Sequence, residues 1–296
     1  MTILPSLWQK TLKFTHHLLA LGWIGGVIVS LYIFHQLGSS ADAVLQEQLN
    51  LLLFNLAYKL ITPSFLGIII TSLLFALYTK YGFFRYYWII SKWILLVLAY
   101  TVFSFFYLPE LHILAALADL GETTSQQMTL LYETAFTKAF ALNYLNLVIL
   151  VCVLLLSGFK PWGLRKGAKE HKPNPKLRLF IIAAFVIVTA FGIMGQIQMD
   201  KVRNLPVRSP DLSKMASDTY SGEYDYHYVY NVRVIIEDGI ITEIDVLNNR
   251  DSIYAKLAEG VTNKILHEQR VDVDAVTGAT TTSVAIQKAV ENALMD

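Results

Sequence analysis

The sequence predicts an α-helical transmembrane bundle of five spans, residues 1–198, followed by a small α+β domain, residues 199–296. Three observations carry this. The 296-residue chain is 54% hydrophobic and only 16% charged, with a mean hydropathy of +0.46, against about 25% charged for an ordinary soluble chain. Its net charge of +1 conceals an asymmetry: residues 1–198 carry 14 Lys/Arg against 7 Asp/Glu, and residues 199–296 carry 10 against 16. The apolar pattern also changes, from long unbroken runs to period-two alternation from Ser217 onward. This composition excludes a disordered chain and argues against a purely soluble enzyme. The single cysteine, Cys152, excludes a disulfide framework and a cysteine-cluster metal site, and reads as a small apolar residue of the fourth span.

Five runs reach the roughly 20 apolar residues that a bilayer requires. They cover about 15–34, 60–78, 86–107, 139–158 and 179–197. Pro63 falls near the start of the second, where a kink costs little. No small-residue cleavage site follows the first, so it reads as a retained helix. Lys/Arg bias then sets the orientation. Lys10 and Lys13 precede the first span, and Lys80 and Arg85 lie between the second and third. The 160–178 loop holds seven cations against Glu170. The alternate loops are acidic: Asp42 and Glu47, then Glu110, Asp119, Glu122 and Glu133 against Lys138. The pattern predicts a multi-pass protein of the cell (inner) membrane. Its N-terminus is cytoplasmic and residues 199–296 are extracytoplasmic. The basic loop attracts anionic membrane lipid rather than nucleic acid. The segment from His112 to Phe140 has helical periodicity and is expected to lie along the outer surface.

In the second domain, Tyr224, Tyr226, Tyr228, Tyr230, Val232 and Val234 alternate as one face of a strand. Asp238-Gly239 marks a hairpin turn, and Ile240, Thr242, Ile244 and Val246 continue the alternation. Residues 252–267 and 283–294 carry helical spacing. Between these helices runs Asp274-Ala-Val-Thr277-Gly278-Ala279-Thr280-Thr281-Thr282-Ser283. Gly278 permits a tight turn or a close backbone approach. Thr282 or Ser283 is expected to cap the final helix, and its unpaired N–H groups favour an anion. A ligand-free capped helix is the bland alternative.

Asp274-x-x-Thr277-Gly278-Ala279-Thr280 resembles the Asp-x-x-Ser/Thr-Gly-Ala-Thr motif of the FMN-binding domain family. That family includes the C subunit of the sodium-pumping NADH:quinone reductase and the G subunit of the Rnf complex. Tyr220-Ser-Gly-Glu-Tyr224, the hairpin through Glu237-Asp238-Gly239, Val246-Leu-Asn-Asn249 and Ala285-Ile-Gln-Lys-Ala-Val290 are similar to the family as well. The resemblance covers the last third of the chain. It implies FMN joined by a flavin transferase, through a phosphoester, to Thr280. Thr281 and Thr282 are neighbouring hydroxyls that the sequence leaves open. Asp274 is expected to orient the loop or to bind the transferase's metal. Two departures affect how the ring is held: tyrosines replace a Gly-Tyr-x-Gly stretch, and Asp251-Ser252 replaces Glu-Thr.

An outer flavin needs a membrane electron source or sink, such as a quinone or a haem. His16, seven residues before Trp23-Ile-Gly-Gly26, resembles the first helix of a loose group of four-helix membrane proteins. That group includes the copper-resistance D and membrane protoporphyrinogen oxidase types, some of which bind haem b. By that resemblance His16 and Lys92, beside Trp88 and Trp93, are candidate haem ligands at similar depth. Interfacial location and snorkelling are the bland reading for both. His35 and His112 form a second conceivable pair. The implied function is an electron-transfer flavoprotein that works with a membrane quinone or a redox partner protein. The alternative is a non-catalytic flavin-binding sensor or assembly module anchored in the membrane.

Overall fold

The computed structural model describes residues 5–40, 42–79, 81–121, 126–166, 179, 183, 194 and 197–295. The predicted fifth span, 179–197, lies almost wholly outside the described residues. The chain divides into two compact units, residues 1–111 with 130–187 and residues 112–129 with 188–296.

Four helices long and apolar enough to cross a membrane are present among the described residues: α1 (Ser6–Ser39), α2 (Ala43–Tyr78), α3 (Tyr87–Asp119) and α4 (Gln126–Phe159). Each runs well beyond its predicted span at one end or both, because helical hydrogen bonding continues through flanking residues that interrupt the apolar run without breaking the helix. Asp42 caps α2 by accepting from the N–H groups of Val44 and Leu45. Pro63 lacks a donor and crowds the carbonyl four residues back. In α2 a π-helical turn at Ala57–Ile61 immediately precedes it, and Thr62 donates its hydroxyl to Ala57 O at 2.8 Å. The wider turn leaves room for the proline ring. A second π turn, Val102–Tyr107, interrupts α3.

Within the first unit, α1 and α2 approach through small residues. A Cβ on Gly22 would lie 2.5 Å from Ser64 Oγ, and one on Gly26 would lie 2.5 Å from Ile61 Cγ1. Glycines at four-residue spacing allow this contact, as in packed membrane helices. Polar ties cross the bundle interior: Asn50 donates to the Tyr132 hydroxyl at 3.0 Å, and Asn143 donates to Val27 O at 3.3 Å. Large apolar side chains such as Leu21, Ile28, Ile94, Phe105 and Val148 point outward, as lipid-facing positions do.

The second unit holds an antiparallel meander, β1 (Asp218–Asp225), β2 (Val229–Glu237) and β3 (Ile240–Asn248). Three helices follow: α5 (Ile253–Ala258), α6 (Val261–Glu268) and α7 (Thr280–Met295). Tyr230, Val232, Val234 and Ile236 of β2 are buried, as are Ile286, Ala289, Val290 and Ala293 of α7. Gly222 of β1 has no room for a Cβ, which would collide with the backbone at Ala289 and Ala293. This glycine lets α7 lie directly against the sheet.

Two expectations are corrected here. The tyrosine alternation is not one strand. The chain turns at His227, where φ is +53° and the Tyr226 N–H donates to Tyr228 O, so that Tyr224 pairs with Tyr230. The turn preserves the parity of the alternation, which hides it in the sequence. The 252–267 helix is likewise two helices, broken at Glu259-Gly260. Gly260 receives Leu120 where its own Cβ would sit.

Candidate functional site

The motif loop leads directly into α7. Ala279 donates its N–H to Val276 O, and the Ser283 N–H donates to Ala279 O, so the helix starts at Thr280. Neither Thr282 nor Ser283 is therefore the cap. Ser283 is fully buried; its hydroxyl accepts from the Val276 N–H at 3.2 Å and donates to Ala279 O. It locks the loop from inside the first turn. Gly278 has φ +81°, a conformation that glycine adopts without cost.

The end of α3 closes on this loop. His112 Nδ1 lies 2.9 Å from Gly278 O. A carbonyl only accepts, so Nδ1 carries the proton. The Asp119 carboxylate accepts from the Thr277 N–H at 2.7 Å and from Lys264 Nζ at 3.0 Å. An acid at a helix C-terminus opposes the helix dipole; here the N–H and the ammonium offset that. Asp119 thus performs the loop-holding expected of Asp274. Asp274 itself is exposed and accepts no hydrogen bond from the loop among the described residues. Asp119 was legible only as a loop acid, because its partners lie more than 140 residues away.

The three threonines differ. Thr281 Oγ1 accepts from Arg203 Nε at 3.2 Å. Thr282, 4% exposed, accepts from Arg250 Nη2 at 2.6 Å. Thr280 is half-buried, and its hydroxyl makes no hydrogen bond among the described residues. Hydroxyls, guanidinium donors and a helix N-terminus form a donor set suited to a phosphate. Behind them, Asn249 Nδ2 donates to Ala255 O and Glu259 Oε1, both at 2.8 Å, and Ser252 caps α5. The Asn248-Asn249 pair is therefore structural, and fixes the segment that bears Arg250.

In the first unit, His16 Nδ1 lies 2.7 Å from Thr71 Oγ1. The Thr71 hydroxyl donates to Gly67 O at 2.8 Å. It must therefore accept from His16, whose Nε2 keeps its lone pair. The Lys92 ammonium lies 5.2 Å from the centre of the Trp88 ring, within cation–π range. No cluster of three or more His, Cys, Asp or Glu suited to a metal ion occurs among the described residues. His35 is exposed, and His112 is engaged at Gly278.

Neither a curated protein nor a solved structure matches the chain. A family model does match, over residues 225–295, from the end of β1 through α7, and its description is FMN-binding domain. The chain carries an FMN-binding domain at its C-terminal end, preceded by several long apolar helices.

Proposed function

We propose that the protein is a membrane-anchored electron-transfer flavoprotein whose FMN is joined to Thr280 through a phosphoester. The observation that carries this is the difference among three adjacent hydroxyls. Thr281 and Thr282 are engaged by arginines, whereas the Thr280 hydroxyl, half-buried at the first position of α7, has no hydrogen-bond partner among the described residues. Thr280 is also the last threonine of the motif within the family match.

For attachment, a flavin transferase supplies a flavin adenine dinucleotide. The Thr280 Oγ–P bond forms, the phosphoanhydride bond breaks, AMP leaves and the hydroxyl proton passes to a solvent base. No electrons change hands. Bound FMN supplies one- and two-electron redox chemistry. The chain places it: Asp119 and His112 fix the loop, and the arginines present donors beside it.

The proposed topology has five spans, a cytoplasmic N-terminus and an extracytoplasmic flavin domain. Electrons pass between a quinol or haem in the membrane and an outer acceptor or partner protein. His16 is the proposed histidine ligand of a haem b, with Lys92 opposite. A hydrogen bond from the distal ring nitrogen, as His16 makes to Thr71, is the usual orienting contact of a metal-bound histidine. A haem absorption band lost in His16→Ala or Lys92→Ala is the expected result. A band that survives in both removes this pair as ligands, and a wild type with no such band leaves a quinone.

The test of attachment is in-gel flavin fluorescence after denaturation, with the protein co-produced with a flavin transferase. A fluorescent band in the wild type that is absent in Thr280→Ala is expected. Fluorescence retained in Thr280→Ala moves the linkage to another residue. A dark wild-type band overturns covalent attachment and favours a non-covalent flavin sensor.

A further inference from the structure

Resting on the flavin reading above, we propose that Arg203 and Arg250 are the positioning residues that bind the phosphate of the flavin and so make the domain select FMN over unphosphorylated riboflavin. The two side chains come from distant parts of the chain, the helical stretch 197–203 and the segment after β3. They converge on consecutive hydroxyls of the first turn of α7, at Thr281 and Thr282.

Their charge runs against their surroundings. Residues 199–296 carry 16 acids and 10 basic residues, yet the two groups that reach this turn are guanidiniums. Neither is spent on a strong ion pair. Arg203 meets Asp200 at 3.5 Å, an exposed i,i+3 pair, and such pairs contribute little. Arg250 has no carboxylate within ion-pair distance among the described residues. The acids at hand are turned elsewhere: Asp251 pairs with Lys256, and Asp119 pairs with Lys264. A guanidinium has five N–H donors in a planar fork. Donating one of them to a threonine fixes each fork at the helix N-terminus and leaves other donors for an anion. A phosphate monoester carries a charge of about −1.5 to −2 at neutral pH, and arginine forks match its oxygens.

The test uses the full-length protein in detergent, prepared without the transferase. FMN and riboflavin are titrated against it separately, with quenching of flavin fluorescence as the readout. Arg203→Gln and Arg250→Gln are each expected to weaken FMN binding about tenfold, equivalent to about 1.4 kcal/mol. The double variant should lose about a hundredfold, with riboflavin affinity unchanged. Added salt should weaken FMN binding to the wild type and have little effect on the double variant. Arg250→Lys, which keeps the charge, should retain part of the FMN preference and controls for folding. A double variant that binds FMN as the wild type does overturns the proposal. So does an equal loss for FMN and riboflavin, which would mark a structural role. A wild-type chain that takes up neither flavin also overturns this inference, whereas the reading of covalent FMN stands or falls on the in-gel fluorescence of protein co-produced with the transferase.

Discussion

Gly278→Ala tests how tightly the motif loop is held. Gly278 has φ +81°, where an L-residue costs about 1–2 kcal/mol. The new Cβ would also lie 2.6 Å from His112 O and 3.3 Å from His112 C and Cα. These are backbone atoms and cannot rotate away. The end of α3 and the loop must part, which strains the His112–Gly278 and Asp119–Thr277 hydrogen bonds. A neutral hydrogen bond contributes about 0.5–1.5 kcal/mol and one to a charged group about 1.5–3 kcal/mol. Partial loss of both adds about 1–2 kcal/mol, so the total cost is about 2–4 kcal/mol. At tenfold per 1.4 kcal/mol, amide exchange that depends on opening of the loop should rise roughly 30- to 1,000-fold. Hydrogen exchange with mass spectrometry on peptides covering 112–121 and 271–285 measures this. Gly278→Asn should recover only the backbone part, since asparagine tolerates the left-handed region but carries the same Cβ. Exchange in Gly278→Ala within about threefold of the wild type would refute the close approach of α3 to the loop.

Asp119→Ala removes the acceptor for both Thr277 N–H and Lys264 and should destabilise the second unit by about 2–4 kcal/mol. A double-mutant cycle with Lys264→Met should show coupling of about 1 kcal/mol or more in urea unfolding. Gly222→Ala should force β1 away from α7 and cost about 1–3 kcal/mol or more, read as a lowered thermal midpoint. Glu291, 7% exposed, accepts from Lys288 and from the Arg208 N–H. Glu291→Ala should release the 206–208 segment, seen as new proteolytic cleavage there. The Ser209 hydroxyl donates to Asp272 and holds its carboxyl below the usual range. A lowered folded pKa contributes stability that is complete above the unfolded pKa and fades as pH falls through the folded one. Asp272→Asn should therefore lower stability in the neutral region and leave the strongly acid end of the stability–pH curve unchanged, so that the acid limb flattens.

The architecture was legible where one physical rule dominated a long stretch. Apolar runs marked α1 to α4, and Asp238-Gly239 marked the turn between β2 and β3, where both residues have positive φ. The motif, too, was readable, since its glycine and threonines are contiguous. What stayed hidden depends on non-local contact. The turn at His227 falls inside an unbroken tyrosine alternation, and only strand pairing reveals it. Gly260 inside a helical pattern was an available signal for the break between α5 and α6. Asp119, Arg203 and Arg250 carry no local signature at all. Each acts on the motif from a segment that the sequence places far away, so composition reported them only as surface charge. The lengths of the helices were hidden for a different reason. Apolarity marks the part suited to lipid, whereas hydrogen bonding continues each helix beyond it.

Flavin attachment at Thr280 is tested most directly by the intact mass of the full-length protein purified from cells that supply a flavin transferase, followed by peptide mapping. The expected result is an added mass of one FMN less one water, confined to the peptide that contains Thr280. An unmodified mass with no flavin released on denaturation, in cells where a known flavinylated protein is modified, would contradict it.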